Sequence, residues 1–361
     1  MEDSTGTKPV AEQHRIDVGA LQAWLGQHLE GFAGPLAVEQ FKGGQSNPTY
    51  KLVTPTQACV MRAKPGPAAK LLPSAHAVDR EFRVMSALQG TGVPVARTHV
   101  LCEDESVIGR AFYVMEFVQG RVLWDQSLPG LDAAGRAAIY DEMNRVIAAL
   151  HSVDPNAVGL ADYGRPGNYF ERQIGRWSKQ YSASVTQPID AMDRLIAWLP
   201  GHIPAGARDE AQVSIVHGDF RLDNLVFHPV EPRVLAVLDW ELSTLGHPLA
   251  DVSYHCMAWH IPPGAFRGIG GLDLAALGIP DEKSYVRRYC DRTGRGSVQA
   301  VETVMADWNF YLAYNLFRLA AILQGIARRA EEGTAASAQA RQAGAGARGL
   351  AEMGWEFARA A

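Results

Sequence analysis

The segment that most constrains the fold is His217-Gly218-Asp219-Phe220-Arg221-Leu222-Asp223-Asn224. It stands between two short apolar runs, 213–219 and 234–240, the second of which ends in Leu238-Asp239-Trp240. Apolar runs of this length, bounded by polar residues, read as buried strands. An Asp and an Asn in a loop, followed by an Asp at a strand end, form the set that phosphoryl transfer needs. One Asp accepts the proton of an attacking hydroxyl, while the Asn and the second Asp hold Mg²⁺ over nucleotide phosphates. Hard oxygen donors suit Mg²⁺, which takes only one or two carboxylates from the protein.

The rest of the chain divides near Gly120. Residues 1–15 form a loose polar leader, after which Leu21, Leu25 and Leu29 recur at helical spacing. Three β-like stretches follow, 36–41, 49–54 and 58–64, with the turn formers Gly43-Gly44-Gln45-Ser46-Asn47-Pro48 between the first two. Residues 77–89 have helical spacing, with Phe82, Met85 and Leu88 on one face, and 95–104 and 110–118 read as an antiparallel pair. Beyond Gly120 the pattern is helical: 132–153 with the stripe Ile139, Met143, Ile147 and Leu150, then 169–183, 189–199 and three helices from about 281. Residues 333–347 are low in complexity and read as a link to the last helix. The predicted class is α+β. The expected domains are 1–118, including a leader and extra helix over 1–35, and 119–361.

Composition removes several functions. Hydrophobic residues make up 47% and charged residues 20%, the balance of an ordinary globular protein. With 34 Lys+Arg against 39 Asp+Glu the net charge is -5, which gives no electrostatic footprint for nucleic acid. The four cysteines are scattered without a CxxC pair, so neither a disulfide framework nor a structural zinc site is expected. No run of about 18 apolar residues suggests a membrane span. The polar N-terminus lacks the apolar region of a signal peptide, and a cytoplasmic setting is expected.

The motifs HGDFRLDNLVF (217–227), VLDWE (237–241) and GHPLAD (246–251) resemble the signature of the aminoglycoside phosphotransferase and choline kinase-like enzymes. Within that superfamily the chain is most similar to the kinase-like domain carried N-terminal to some acyl-CoA dehydrogenases. The resemblance runs from about Phe41 to the C-terminal helices. It implies a bilobal protein-kinase-like fold, with a small N-terminal lobe of antiparallel sheet plus helix and a larger, mainly helical C-terminal lobe. ATP would lie in the cleft between them. By the same resemblance Asp219 holds the catalytic-base position, and Asn224 and Asp239 are the Mg²⁺ ligands. Asp239-Trp240-Glu241 stands where protein kinases have Asp-Phe-Gly, and Asp251 follows too soon for a long activation loop. Both features match the small-molecule branch, and Asp251 is expected to tie down the catalytic loop.

Gly43, Gly44, Ser46, Asn47 and Thr49 fall where a kinase covers the ATP phosphates. Glycine there frees the backbone for a close approach, and the neighbouring hydroxyl and amide groups add donors. The phosphate anchor falls on Arg62, which the resemblance selects over Lys64 two residues on, with Glu81 as its ion-pair partner. Glu116 and Val118 would meet adenine through backbone groups at the hinge. His151 is expected to pack, and Trp259, His260, Tyr311, Tyr314, Asn315 and Arg318 are candidates for an acceptor pocket. The presumed acceptor-binding part, 253–361, carries a slight surplus of basic residues, a poor trap for a polycationic aminoglycoside. The expected reaction is transfer of the ATP γ-phosphate to a hydroxyl of a small acceptor, a hydroxy acid or hydroxyacyl-CoA. The alternatives are an aminoglycoside-type phosphotransferase and a catalytically silent nucleotide sensor. A functional link to an acyl-CoA dehydrogenase is also implied; ATP against GTP and the oligomeric state stay open.

Overall fold

The computed structural model describes residues 6–42, 47–66, 77–165, 167–294, 297–332 and 346–361. Along the chain run β1 (Thr7–Lys8), α1 (Val18–His28), β2 (Ala37–Phe41), β3 (Thr49–Val53), β4 (Ala58–Ala63), α2 (Val78–Leu88), β5 (Thr98–Cys102), β6 (Phe112–Glu116) and β7 (Arg121–Val122). There follow α3 (Ala133–His151), α4 (Tyr169–Ser184), α5 (Asp190–Trp198), β8 (Ser214–Val216), β9 (Leu225–Phe227), β10 (Val234–Val237) and β11 (Thr244–Gly246). The chain closes with α6 (Leu249–Cys256), α7 (Leu274–Leu277), α8 (Glu282–Arg292), α9 (Val298–Ala306), α10 (Trp308–Glu331) and α11 (Ala347–Arg359). Backbone contacts sort them into two units: 1–122 with 225–242, and 123–224 with 243–361.

In the first unit six antiparallel strands lie in the order β1-β2-β3-β4-β6-β5. Strand alternation decides what each face carries. Cys59, Met61 and Ala63 of β4 join the apolar core with Tyr50, Leu52, Phe112 and Val114, and Leu21 and Leu25 of α1 are fully buried against that cluster. Arg62 therefore projects from the opposite face. The same unit takes in 225–242, which the division at 118/119 had placed with the second domain. Two contacts draw that segment in: β9 pairs with β7 and β10, and α2 packs on the turn 240–242 that follows β10.

In the second unit the apolar stripe foreseen on 132–153 is buried along α3, where Ile139, Met143, Ile147 and Leu150 are at most 1% exposed. Its centre is α10, which packs on α11, α4 and α6. The most apolar stretch of α10 has a mean hydropathy of 1.2, and 83% of that stretch is buried inside the protein. Among the described residues four helices, not three, follow residue 281. α9 and α10 meet at Asp307, whose backbone leaves helical geometry for one residue (φ -92°, ψ 2°), so apolar periodicity runs across the break unseen. β9 and β11 are three-residue strands, too short for an alternation signal.

Gly120 precedes β7 where that strand meets β9. A Cβ at this position would stand 2.3 Å from the Phe227 carbonyl oxygen and 2.6 Å from a Val226 methyl. Gly120→Ala should lower stability by about 1–3 kcal/mol, as overpacking does. Chemical denaturation should show an earlier midpoint at unchanged slope.

Candidate active site

In the first unit the site grows from β4 and α2. Arg62 lies opposite Thr49 of β3 and Tyr113 of β6 in the sheet register. Its Nε is 3.0 Å from Glu81 Oε2, and its Nη2 is 2.7 Å from Asp239 Oδ1 and 3.4 Å from Glu241 Oε2. Glu81, in the first turn of α2, is 1% exposed and accepts from Asn47 Nδ2 (2.7 Å) and the Tyr113 hydroxyl (3.0 Å). Burial pushes the Glu81 carboxyl up, against the pull of Arg62 and of these two donors. Asp239 holds a left-handed backbone (φ 65°), an uncommon conformation for a residue with a side chain and one concentrated at functional sites.

Four residues singled out from the sequence, Asn47, Arg62, Glu81 and Asp239, thus share one network. Asn47 directs an amide donor to Glu81, and Thr49 directs its hydroxyl to the Asn47 carbonyl. Lys64 lies past the end of β4, its N–H on the Ala111 carbonyl; the residue paired with Glu81 is Arg62. Glu116 ends β6 with its N–H on the Arg97 carbonyl, and Val118 lies half-buried two residues beyond. Gly43, Gly44 and Ser46 lie outside the described residues.

In the second unit the loop after β8 presents Asp219. Its Oδ1 accepts from the Tyr254 hydroxyl at 2.7 Å, and its Oδ2 from Asn224 Nδ2 at 3.0 Å, with Arg221 Nε 3.1 Å away. Asp223, 3% exposed, is 2.7 Å from Arg267 Nη2 and 3.6 Å from Arg221 Nε. Burial pushes its carboxyl up, only partly offset by the two guanidiniums. Beneath the loop Asp251 of α6 accepts the His217 and Gly218 N–H groups at 2.5 and 2.8 Å. It does tie down the loop, as expected. His151 reaches Asp251 Oδ2 with Nε2 (3.3 Å) and the Tyr289 hydroxyl with Nδ1 (2.9 Å), the packing role foreseen for it.

The acceptor candidates need correction. Arg318 donates to the Gly218 carbonyl, Asn315 to the Ala250 carbonyl and the Ser253 hydroxyl, and Trp259 to the Pro280 carbonyl. His260 pairs with Glu282, while Tyr311 and Tyr314 are buried in the helical core. These side chains brace the fold. The polar groups around Asp219 are instead Tyr254, Arg221 and Arg267, none of them foreseen. Arg221 lay within the motif itself, and Tyr254 stands three residues after Asp251, on the same helix face.

Residues 37–289 match the family described as "Phosphotransferase enzyme family". The chain belongs to that family. A crystal structure from Ralstonia eutropha, provisionally assigned as an aminoglycoside phosphotransferase, is 65% identical, covers 96% of this chain and 99% of its own, and superposes with a TM-score of 0.85. Acyl-CoA dehydrogenase family member 10 of Mus musculus is 47% identical over 98% of this chain but only 32% of its own length. The chain spans between 32% and 45% of the first three curated relatives it matches. Choline kinase from Cryptosporidium parvum, 12% identical over 95% of each chain, shares the fold with a TM-score of 0.65. The α+β, kinase-like fold and the family membership anticipated from the motifs are the ones found.

Asp251 supplies a test of the loop's dependence on one carboxylate. Burial alone would raise its pKa, but His151, His217 and the Gly218 N–H hold it below the ordinary value of 3.8. A lowered folded pKa stabilises fully above the ordinary value and loses that contribution as pH falls through the folded one. Asp251→Ala should cost on the order of 3 kcal/mol at neutral pH, because buried donors lose their acceptor. In denaturation series the gap between wild type and variant should narrow below pH 3.8 and hold steady above it.

Proposed function

We propose that the protein transfers the γ-phosphoryl group of ATP to a hydroxyl of a small acceptor, with Mg²⁺ as the metal. The observation that carries the reading is the Asp219 carboxylate, fixed on one oxygen by Tyr254 and on the other by Asn224, with 16% of its side chain still exposed. A base must be aimed and reachable, and Asp219 is both. It takes the proton of the acceptor hydroxyl as that oxygen bonds to the γ-phosphorus. The bond from phosphorus to the β–γ bridging oxygen breaks, and ADP leaves with that electron pair.

The residues present fit a divalent cation. Three carboxylates, Glu81, Asp239 and Glu241, meet the guanidinium of Arg62, and carboxylate oxygens are the donors a hard divalent cation takes. Asn224 directs its amide N–H at Asp219, which leaves its carbonyl oxygen as the group suited to a hard metal. Asp239 and Asn224 would hold Mg²⁺, and the ion would neutralise charge on the nucleotide phosphates. Arg62, kept in place by Glu81, would grip phosphate oxygens in the bidentate manner of a guanidinium. Asn47 positions Glu81, Thr49 and the segment with Gly43, Gly44 and Ser46 would lie along the phosphates, and Glu116 and Val118 would meet adenine.

The acceptor is read as a hydroxy acid or its CoA ester. Arg221 and Arg267 beside the base are the wrong sign for a polycation and the right one for an acyl acid. The acyl-CoA dehydrogenase relatives favour the same class and suggest a functional link to such a dehydrogenase.

ATP consumption with Mg²⁺ should be measured across hydroxy acids, their CoA esters and aminoglycosides. Asp219→Asn should lower turnover roughly 100-fold or more while nucleotide binding persists. Asp239→Ala should remove metal-dependent nucleotide binding. Equal loss of binding in both variants would refute the assigned roles, and activity confined to aminoglycosides would refute the acceptor class.

A further inference from the structure

Beside the His217–Asn224 loop the second unit contains a small cleft lined by Gln126, Arg221, Tyr254, His255, Phe266 and Arg267. Its volume of about 20 Å³ admits one water-sized group. His255 is 2% exposed and ringed by Tyr285 and Trp259, with centroids 5.2 and 5.3 Å away, and by Phe220 at 6.1 Å. Burial lowers its pKa to about 3, so the ring stays neutral in use. A neutral imidazole carries one N–H donor and one bare acceptor nitrogen. Neither nitrogen of His255 has a hydrogen-bond partner among the described residues, although a phenyl ring would fill the same aromatic surroundings without that penalty.

Arg267 faces the same cleft from a turn built to deliver it. Its backbone is left-handed (φ 59°), and at the next residue, Gly268, a Cβ would fall 1.9 Å from the Ile261 carbonyl oxygen. The guanidinium is set on Asp223 and over the Phe266 and Trp124 rings, yet the side chain remains 26% exposed. Backbone strain of this kind persists where the side chain it places is used. Tyr254, which lines the cleft, donates its hydroxyl to Asp219, so a group held there lies next to the base.

We propose that this cleft is the acceptor subsite and receives an acyl oxygen of the acceptor, a carboxylate or the carbonyl of its thioester, with Arg267 and His255 as donors. The assignment rests on the phosphotransfer reading above. Its size suits the oxygen alone, with the carbon chain outside.

The test uses Arg267→Asn, since Asn tolerates the left-handed backbone, and His255→Phe. A medium-chain hydroxy acid, its CoA thioester and the aliphatic diol of equal length serve as acceptors. Calorimetry of the acid and the thioester without nucleotide runs beside the kinetics. Each variant should raise KM for the acid, the thioester or both by about tenfold, the effect of losing one hydrogen bond to a charged or buried group. KM for ATP and for the diol should not move, and His255→Phe should raise the melting temperature. An effect on the acid alone identifies a carboxylate, and an effect on the thioester alone identifies its carbonyl. Unchanged KM for both acyl acceptors in both variants would mean a water site only and would overturn the proposal, as would an equal effect on the diol. If wild type phosphorylates nothing, the phosphotransfer reading falls by itself. Calorimetry then decides the subsite: loss of acyl binding in the variants upholds it, and absent or unaltered binding overturns it.

Discussion

One buried carboxylate organises the second unit. Asp251 accepts two successive backbone N–H groups, those of His217 and Gly218, and so fixes the start of the loop that carries Asp219. The helices around it converge on the same point. His151 at the end of α3 reaches Asp251, Tyr289 of α8 holds His151, and Arg318 of α10 binds the Gly218 carbonyl. α6 also carries Tyr254, one turn beyond Asp251, whose hydroxyl orients Asp219. A single short helix thus sets both the backbone of the loop and the direction of its carboxylate. The Asn315 side chain pins that helix to the core through the Ala250 carbonyl and the Ser253 hydroxyl.

The first unit uses a buried carboxylate differently. Glu81 faces one guanidinium, which it shares with Asp239 and Glu241, and burial raises its pKa; Asp251 meets the His151 ring as well as two backbone N–H groups, and its pKa is lowered. The contrast follows from what each must do. A carboxylate that braces a loop gains from every hydrogen bond made to its charged form, here from the His151 ring and from backbone N–H groups. Under the proposed function Glu81 holds an arginine for phosphate and leaves part of that arginine's charge to Asp239 and Glu241.

The motif residues were legible because their chemistry is local. Asp219, Asn224 and Asp251 lie within one stretch of sequence, and each serves that stretch. The pairing of Arg62 with Glu81 was legible only through the family resemblance, because strand alternation puts Arg62 and Lys64 on the same side. Arg318, Asn315 and Trp259 were not, since a polar side chain on a core helix reads alike whether it meets a backbone carbonyl or a ligand. Linear charge counting met the same limit. Among the arginines of 253–361, Arg288 and Arg292 sit on Asp141 at the surface, and Arg267 alone of these three reaches Asp223. Only the turn with Gly268 at its centre separates them, and its shape depends on contacts with Ile261 that residue type does not announce.

The loop holds two carboxylates, and their surroundings separate their roles. Asp219 and Asp223 both lie within reach of Arg221, so proximity to a cation does not distinguish them. Burial does. Asp223 is 3% exposed and tied to Arg267; a proton taken there would cut the ion pair that holds the arginine in place. Asp219 retains 16% exposure and is oriented on both oxygens, one by a tyrosine hydroxyl and the other by an amide. Under the proposed function the first therefore anchors a cation for the acceptor and the second meets its hydroxyl. Two like groups four residues apart take on unlike work because one faces solvent and the other does not.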